Sequence, residues 1–464
     1  MSLIKSISGF RGTIGGKATE NLTPIDIVSF TSAFAQLIKL QLKKSKIKIV
    51  VGRDARRSGE MLEGLVSNTL VSMGADVICL GLSTTPTVEM AVIDLKADGG
   101  IILTASHNPE EWNALKLLNE KGEFISAKSG EKLLEMVEEG DIEFAKINSL
   151  GAITKDTTQL EKHIAKIIEL EEVNQKAIEK ADLKVAFDAV NSSGGIAIPL
   201  LLDALGVTNV LPLHDTPNGF FPHNPEPLPE NLSEIAEWVL SQKADVGFVV
   251  DPDVDRLAII CENGYPFGEE YTLVAVADYI LSKQKGAVVS NLSSTRALRD
   301  ISEKYGVKYE ASAVGEVNVV EKMKEINAVI GGEGNGGVIF PKLHFGRDAL
   351  VGIALFLSLM AERKTKVSQI RSTYPTYFIS KNRISLDKNV VVEDILTKIA
   401  KKYEREELNI SDGLKIDFAD GWVHLRKSNT EPIIRLYSES NSINMAENLS
   451  KKIMYDVGEL LKSI

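Results

Sequence analysis

The hexapeptide TASHNP, residues 104–109, sets a serine, Ser106, just beyond the apolar run GGIILT, and Pro109 blocks an immediate regular continuation. A hydroxyl so placed is exposed and held in a fixed direction. His107 is its neighbour, although adjacency in sequence does not make two side chains point the same way. The G-x-S-x-G elbow is missing, which disfavours a Ser-His-Asp hydrolase. In DPDVDR, residues 251–256, Asp251, Asp253 and Asp255 recur every second position, so an extended backbone sends their carboxylates to one side. Three such charges repel unless a cation lies between them. A hard divalent ion answers that need, and Mg²⁺, which prefers six oxygen ligands, would leave room for a phosphate oxygen and water. The glycine and terminal glutamate of an EF-hand are absent. Arg256 would balance charge or touch phosphate.

Two further loops carry polar groups. GEGNGG, residues 332–337, sets Glu333 and Asn335 among four glycines, which permit close backbone approach while the side chains hydrogen-bond vicinal hydroxyls. Its spacing is not the G-x-G-x-x-G of a dinucleotide fingerprint. RKSNTEP, residues 426–432, offers a fork-shaped cation in Arg426, hydroxyls in Ser428 and Thr430, and Asn429, a natural nest for phosphate to which Arg435 adds. Other cations stand at Arg11 in GFRG, Arg53 in VGRD, and Lys116, ten residues after Ser106.

These loops need elements to hold them. From Lys46 the chain alternates short β-branched runs with amphipathic stretches, the signature of βαβ units. KIKIVVG, DVICLG and GGIILT read as strands, with SGEMLEGLVSNTLVSMGA and TVEMAVIDLKA as helices between them. The order recurs in KVAFDAV, VLPLH and DVGFVV, and again in GAVVSNL, VKYEASAV and NAVIGG. Each block closes on a polar loop beyond a buried strand, where open sheets bind ligands. Three such loops at equivalent places imply one composite site. The tail differs, with charged helices and two short strands, GWVHLR and IIRLYSES, flanking KSNTEP, and reads as a small α+β domain.

At 464 residues the chain calls for three or four domains. Hydrophobic residues at 44% and charged residues at 25% are the balance of a soluble globular protein, and the net charge of −11 argues against a nucleic-acid surface. Cys79 and Cys261 lie in apolar runs and make no disulfide framework, which fits a reducing cytoplasm. The N-terminus lacks an apolar h-region, and IAIPLLLDALGV is too short to span a bilayer.

Taken together, TASHNP, DPDVDR and RKSNTEP, in this order and at domain-scale separations, strongly resemble the α-D-phosphohexomutase family along the whole chain. That resemblance implies three related mixed or parallel α/β domains and a smaller C-terminal α+β domain around a central cleft. The expected boundaries are 1–150, 151–260, 261–373 and 374–464, with a phosphoserine loop, a metal loop, a sugar loop and a phosphate loop in turn. It implies interconversion of hexose 6-phosphate and hexose 1-phosphate through a phosphoserine at Ser106, with a hexose bisphosphate as activating intermediate. One Mg²⁺ would bridge Ser106 to Asp251, Asp253 and Asp255, while Glu333 and Asn335 bind sugar and Arg426, Ser428, Asn429, Thr430 and Arg435 bind phosphate. Arg11, Arg256 and His107 would join the catalytic group. Lys116 aligns with the family's lysine near the reacting hydroxyl, a proton carrier if neighbouring cations depress its pKa. Many members read G-E-x-S-G-H in the sugar loop, whereas Asn335 and Gly337 stand here in place of the serine and histidine, so that histidine's role cannot be carried over. His344 in PKLHFGRD is a candidate to compensate. The E-x-N-G-G-x-I-F-P form most resembles archaeal-type phosphoglucosamine mutases. Nothing obvious reads C2, so specificity among glucosamine, glucose and mannose phosphates is expected to be relaxed, with glucosamine slightly favoured. A monomer or homodimer acting on small molecules, without nucleic-acid or membrane partners, is expected. The rival classes are a sugar phosphatase with an aspartyl nucleophile, and a non-catalytic sugar-phosphate binding protein.

Overall fold

A computed structural model describes residues 2–6, 9–386, 391–428 and 433–462. Three of its four sheets share one strand order. In the first, Trp112–Leu118 lies antiparallel to Gly99–Leu103, and Ile47–Arg53 and Ala75–Leu82 follow in parallel. In the second the same places are taken by Leu257–Cys261, Val246–Val250, Lys184–Asp188 and Asn209–Leu213. In the third they are taken by Gly337–Ile339, Ile330–Glu333, Val288–Asn291 and Tyr309–Ser312. The last strand of each block thus turns back on its neighbour, and each candidate loop is the bend of that hairpin.

The central strands read as continuous apolar runs because both faces are covered. Ile49 and Val51 point into the core beneath the helices Pro24–Leu42 and Gly59–Ser72, while Val50 points into a second core under Thr85–Asp94. Phe187 and Ala186 divide likewise in the second sheet, and Val288 and Val289 in the third. The largest core runs without interruption from the second sheet to the third, around the buried helices Glu269–Lys283 and Ala349–Arg363. These two layers therefore share one core. The C-terminal sheet has a core of its own.

Several elements escape the sequence reading. Gly9–Thr13 extends the first sheet by pairing with Trp112–Leu118, setting Arg11 opposite Ala114 and Gly9 opposite Lys116. At its other edge Ile153–Lys155 pairs with Ala75–Leu82, so the first sheet continues past residue 150. Helix Pro24–Leu42 opens on a capping box between Thr23 and Asp26. It is long and apolar enough to cross a membrane, but Ile27, Phe30, Phe34 and Ile38 pack in the first core. The C-terminal sheet has five antiparallel strands rather than two: Phe378–Ser385, Ile433–Ser440, Gly421–Lys427, Leu414–Phe418 and Glu407–Asn409. Phe378–Ser385 is hidden in sequence because, Phe378 apart, its exposed positions are Lys381, Arg383 and Ser385.

Candidate active site

Ser106 sits at φ 49°, a left-handed conformation uncommon outside glycine that the surroundings must enforce. Its amide donates to Thr104 Oγ1 (2.9 Å), whose hydroxyl donates to Asp54 (2.6 Å). Arg56, fully buried, donates to the carbonyls of Ser106 (2.6 Å), Asn108 (2.6 Å), Pro109 (2.5 Å) and Trp112 (3.0 Å), and pairs with Asp54 at 3.1 Å. The loop is therefore moulded on one guanidinium. Ser192 ties this segment to the aspartate loop, accepting from the Ala55 amide (3.2 Å) and donating to the Pro252 carbonyl (2.7 Å).

The Ser106 hydroxyl donates to Asp251 Oδ2 at 2.6 Å, across 145 residues of chain. DPDVDR is not extended as its spacing suggested. It is a tight turn, with the Val254 amide on the Asp251 carbonyl (3.0 Å) and Val254 itself at φ 62°. The carboxylates converge all the same, their ligand atoms lying within 4.8 Å of one another. Asp251 has both oxygens held by protein, and Asp253 and Asp255 one each. Asp251 Oδ1 accepts from the amides of Asp255 and Arg256, both at 3.1 Å. Asp253 Oδ2 accepts from Thr85 (2.5 Å) and Lys116 (2.6 Å), and Asp255 Oδ2 from Arg347 (2.7 Å) and Lys116 (3.3 Å). Asp253 Oδ1 and Asp255 Oδ1 are buried without a hydrogen-bond partner among the described residues. Orphan anionic oxygens beside a serine hydroxyl are the donor set of a hard divalent cation. Burial, then Asp255 and Asp253, pushes the Asp251 carboxyl well above its usual range. For Asp255 burial acts the same way, but Arg347, Lys116 and Arg256 outweigh it and hold the group well below.

Lys116 does not meet the condition set for a proton carrier. Burial alone would depress its pKa, but Asp253 and Asp255 more than compensate and raise it above the ordinary lysine range. His107 Nδ1 lies 3.3 Å from Ser106 Oγ, and burial followed by Arg256 keeps the ring neutral. Arg11 reaches Asn108 at 3.3 Å. Burial, Arg435 and Arg256 lower its pKa, and the Nε atoms of both Arg11 and Arg256 are buried without a hydrogen-bond partner among the described residues, that of Arg256 lying 3.9 Å from Asp255 Oδ1. Crowded guanidiniums with unused donors form an anion pocket beside the serine. Arg53 lies apart, paired with Glu60 and Glu63.

A cavity of about 250 Å³ opens in front of these groups, lined from all four sheets. His107, Arg256, Glu333, Asn335, Arg426 and Arg435 reach it. Glu333 is heavily engaged, accepting from Asn291 (2.8 Å), the Gly315 amide (3.0 Å) and Arg347 (2.8 Å), which leaves about one lone pair for a ligand. Ser428 is buried and its amide donates to the Ile433 carbonyl, while Asn429 and Thr430 lie outside the described residues. His344 does not compensate for the missing histidine. It is buried between Glu89 and Asp348, away from the cavity lining, and although burial opposes its charge the two acids raise it to about 10.

The residues missed in sequence are Arg56, Arg347, Glu226, Glu270 and Lys381. Glu226 links His107 (3.9 Å) to Arg256 (3.3 Å). Glu270 accepts from the Thr295 amide (2.9 Å) and, among the described residues, makes no ion pair. Only Arg347 had a local signal, a cation immediately before Asp348, the N-cap of helix Ala349–Arg363.

The phosphoglucomutase/phosphomannomutase family matches this chain in four consecutive segments. They are α/β/α domain I over residues 4–143, domain II over 161–264, domain III over 268–377 and the C-terminal domain over 388–454. A phosphoglucomutase/phosphomannomutase of Thermococcus kodakarensis is 36% identical, with 93% of this chain and 94% of the relative aligned. A phosphoglucosamine/phosphogalactosamine mutase of Sulfurisphaera tokodaii is 30% identical over 98% of each chain. The crystal structure of a phosphoglucomutase/phosphomannomutase family protein from Burkholderia thailandensis matches at a TM-score of 0.85 and 25% identity, covering 98% of this chain and 96% of that one. With the order of its loops, its strand topology and its full-length relatives in agreement, the chain belongs to the α-D-phosphohexomutase family of hexose-phosphate mutases.

Proposed function

We propose that Ser106 carries the phosphoryl group that this mutase moves between the 6- and 1-oxygens of a hexose. The observation that carries the reading is the convergence of Ser106 Oγ, the orphan aspartate oxygens and the unused nitrogens of Arg11 and Arg256. In the forward step the Oγ–P bond of phosphoserine breaks as a bond forms from phosphorus to the free sugar hydroxyl, and the proton that this hydroxyl gives up is balanced by the one that Ser106 Oγ takes as it leaves. The resulting bisphosphate turns over in the cavity, and its other phosphoryl group returns to Ser106 Oγ, which gives up its proton while the sugar oxygen released takes one. Asp251, Asp253, Asp255 and Ser106 would hold one Mg²⁺, which supplies charge neutralisation on the transferring group. Arg11 and Arg256 stabilise the equatorial oxygens, and the loop on Arg56 keeps the serine in line. The distal phosphate docks on Arg426, Arg435, Ser428, Asn429 and Thr430. The four segments each bring one loop, and the last, with its own core, closes over the ligand.

Specificity among the hexose phosphates is relaxed in this reading, with glucosamine phosphate preferred. Glu270 supports the preference: burial pushes its carboxyl well above the usual range, which Lys381 only partly opposes, and an ammonium at C2 would stabilise its charged form where a hydroxyl would not. A cytoplasmic setting fits two buried free thiols, Cys79 and Cys261. The test is conversion of glucosamine, glucose and mannose 6-phosphates to the 1-phosphates by wild type and Ser106→Ala. The reading expects turnover of all three and none by the variant. Release of inorganic phosphate that survives Ser106→Ala would favour an aspartyl phosphatase instead.

A further inference from the structure

Arg347 touches three buried carboxylates that come from three separate stretches of chain. Its Nη2 donates to Asp255 Oδ2 (2.7 Å), its Nη1 to Glu333 Oε2 (2.8 Å) and its Nε to Glu316 Oε2 (3.0 Å). Its own amide also donates to Glu316 (3.2 Å). The base of the side chain is fixed as firmly as the tip. Arg347 bridges to Ile339 across the hairpin, and Asp348 beside it donates its amide to the Val338 carbonyl (2.8 Å) and caps helix Ala349–Arg363. By taking Oδ2 of Asp255 together with Lys116, Arg347 leaves Oδ1 as the oxygen without a hydrogen-bond partner among the described residues. By taking Oε2 of Glu333, it fixes the sugar loop to that same point.

The path of this side chain crosses the space beside Gly337. A Cβ at residue 337 would lie 2.3 Å from Arg347 Cδ and 3.0 Å from its Cγ, far inside contact distance. The backbone of Gly337 is not in the left-handed region, so its φ would admit a side chain. The obstacle is Arg347, which cannot swing aside without withdrawing its charge and hydrogen bonds from three buried carboxylates.

We infer that Arg347 is a positioning residue that locks the metal loop to the sugar loop, and that residue 337 is glycine because its side chain and that of Arg347 exclude each other. This rests on reading Asp251, Asp253 and Asp255 as the ligands of the activating ion. It goes beyond that reading by naming the residue that chooses which oxygen of Asp255 they present.

The test is a double-mutant cycle of Gly337→Ala and Arg347→Ala, with Arg347→Lys alongside, read as the Mg²⁺ concentration for half-maximal activity and as kcat and KM separately. Thermal unfolding identifies the folded variants. Gly337→Ala alone is expected to raise the Mg²⁺ requirement and lower kcat by roughly tenfold or more, since the groups that orient a metal's ligands typically matter by about 10–100-fold. Arg347→Ala should do the same, and adding Gly337→Ala to it should cost nothing further. Arg347→Lys, which keeps the charge but not the three-way fork, should resemble Arg347→Ala. A silent Gly337→Ala, or losses that multiply in the double variant, would overturn the inference. If wild type needs no divalent ion, the ligand reading itself fails. If it needs one and these variants leave that need unchanged, only the role of Arg347 fails.

Discussion

Replacing Arg56 by methionine keeps most of the apolar bulk and removes the guanidinium on which the serine loop is built. Four backbone carbonyls lose a charged donor at once, and Asp54 loses its ion partner in a fully buried setting. Breaking a buried pair by removing one member costs about 3–5 kcal/mol, much of it the penalty of the charge left behind. The Asp54 carboxyl is already raised by burial, which Arg56 and Thr104 only partly oppose. A carboxyl whose folded pKa exceeds its unfolded one adds stability below the unfolded value and loses it as pH rises through the folded value. Removing Arg56 raises the folded value further, so the deficit of Arg56→Met should be larger at neutral pH than in mild acid. Adding Asp54→Asn removes the stranded charge and should recover part of the loss. Because a displacement of the reacting group by about 1 Å can cost roughly 100-fold, kcat should fall by that order while KM moves little. Urea unfolding at two pH values and steady-state kinetics on hexose 6-phosphate would measure both effects. An Arg56→Met variant within about 1 kcal/mol of wild type and with intact kcat would refute the clamp.

Chelation of divalent ions should abolish activity and added Mg²⁺ restore it, with Asp253→Asn losing at least about 100-fold in kcat/KM at any Mg²⁺ concentration. Glu270→Gln should lower the ratio of kcat/KM for glucosamine over glucose 6-phosphate by about tenfold, the order of one charge-assisted hydrogen bond; an unchanged ratio would remove Glu270 from substrate reading. His424, set between Ser293 and the Asp412 carbonyl with Lys415 and Arg426 nearby, is lowered by burial from 6.5 to about 4. The folded state refuses a proton that the unfolded state takes, so its contribution is whole above the ordinary histidine value and lost as pH falls toward the folded one. His424→Asn should therefore flatten the decline of unfolding free energy between those two pH values.

What could be read in advance was what is local. Three aspartates at spacing two announce a cation whether the chain is extended or, as it proves, turned about Val254, because either path brings the carboxylates together. Apolar runs bounded by polar loops give the repeated sheets, since burial on both faces leaves no alternation to misread. Arg56 and Arg347 stayed hidden for the opposite reason. Their partners lie about fifty and ninety residues away, at Ser106 and Asp255, and a buried arginine looks in sequence like any surface cation. Lys116 is singled out by the resemblance, yet its electrostatics come from residues 137 and 139 positions distant, and these reverse the expected shift. The strand carrying Lys381 was obscured by its charged outward face, which hid both the five-stranded sheet and a cation of the cavity.

The covalent state of Ser106 tests the account most directly. Intact-mass measurement and peptide mapping of purified protein, before and after incubation with substrate, should find one phosphoryl group, lying within TASHNP on Ser106 and lost to hexose monophosphate. A protein that turns over hexose phosphates while no peptide containing Ser106 ever carries phosphate would contradict it.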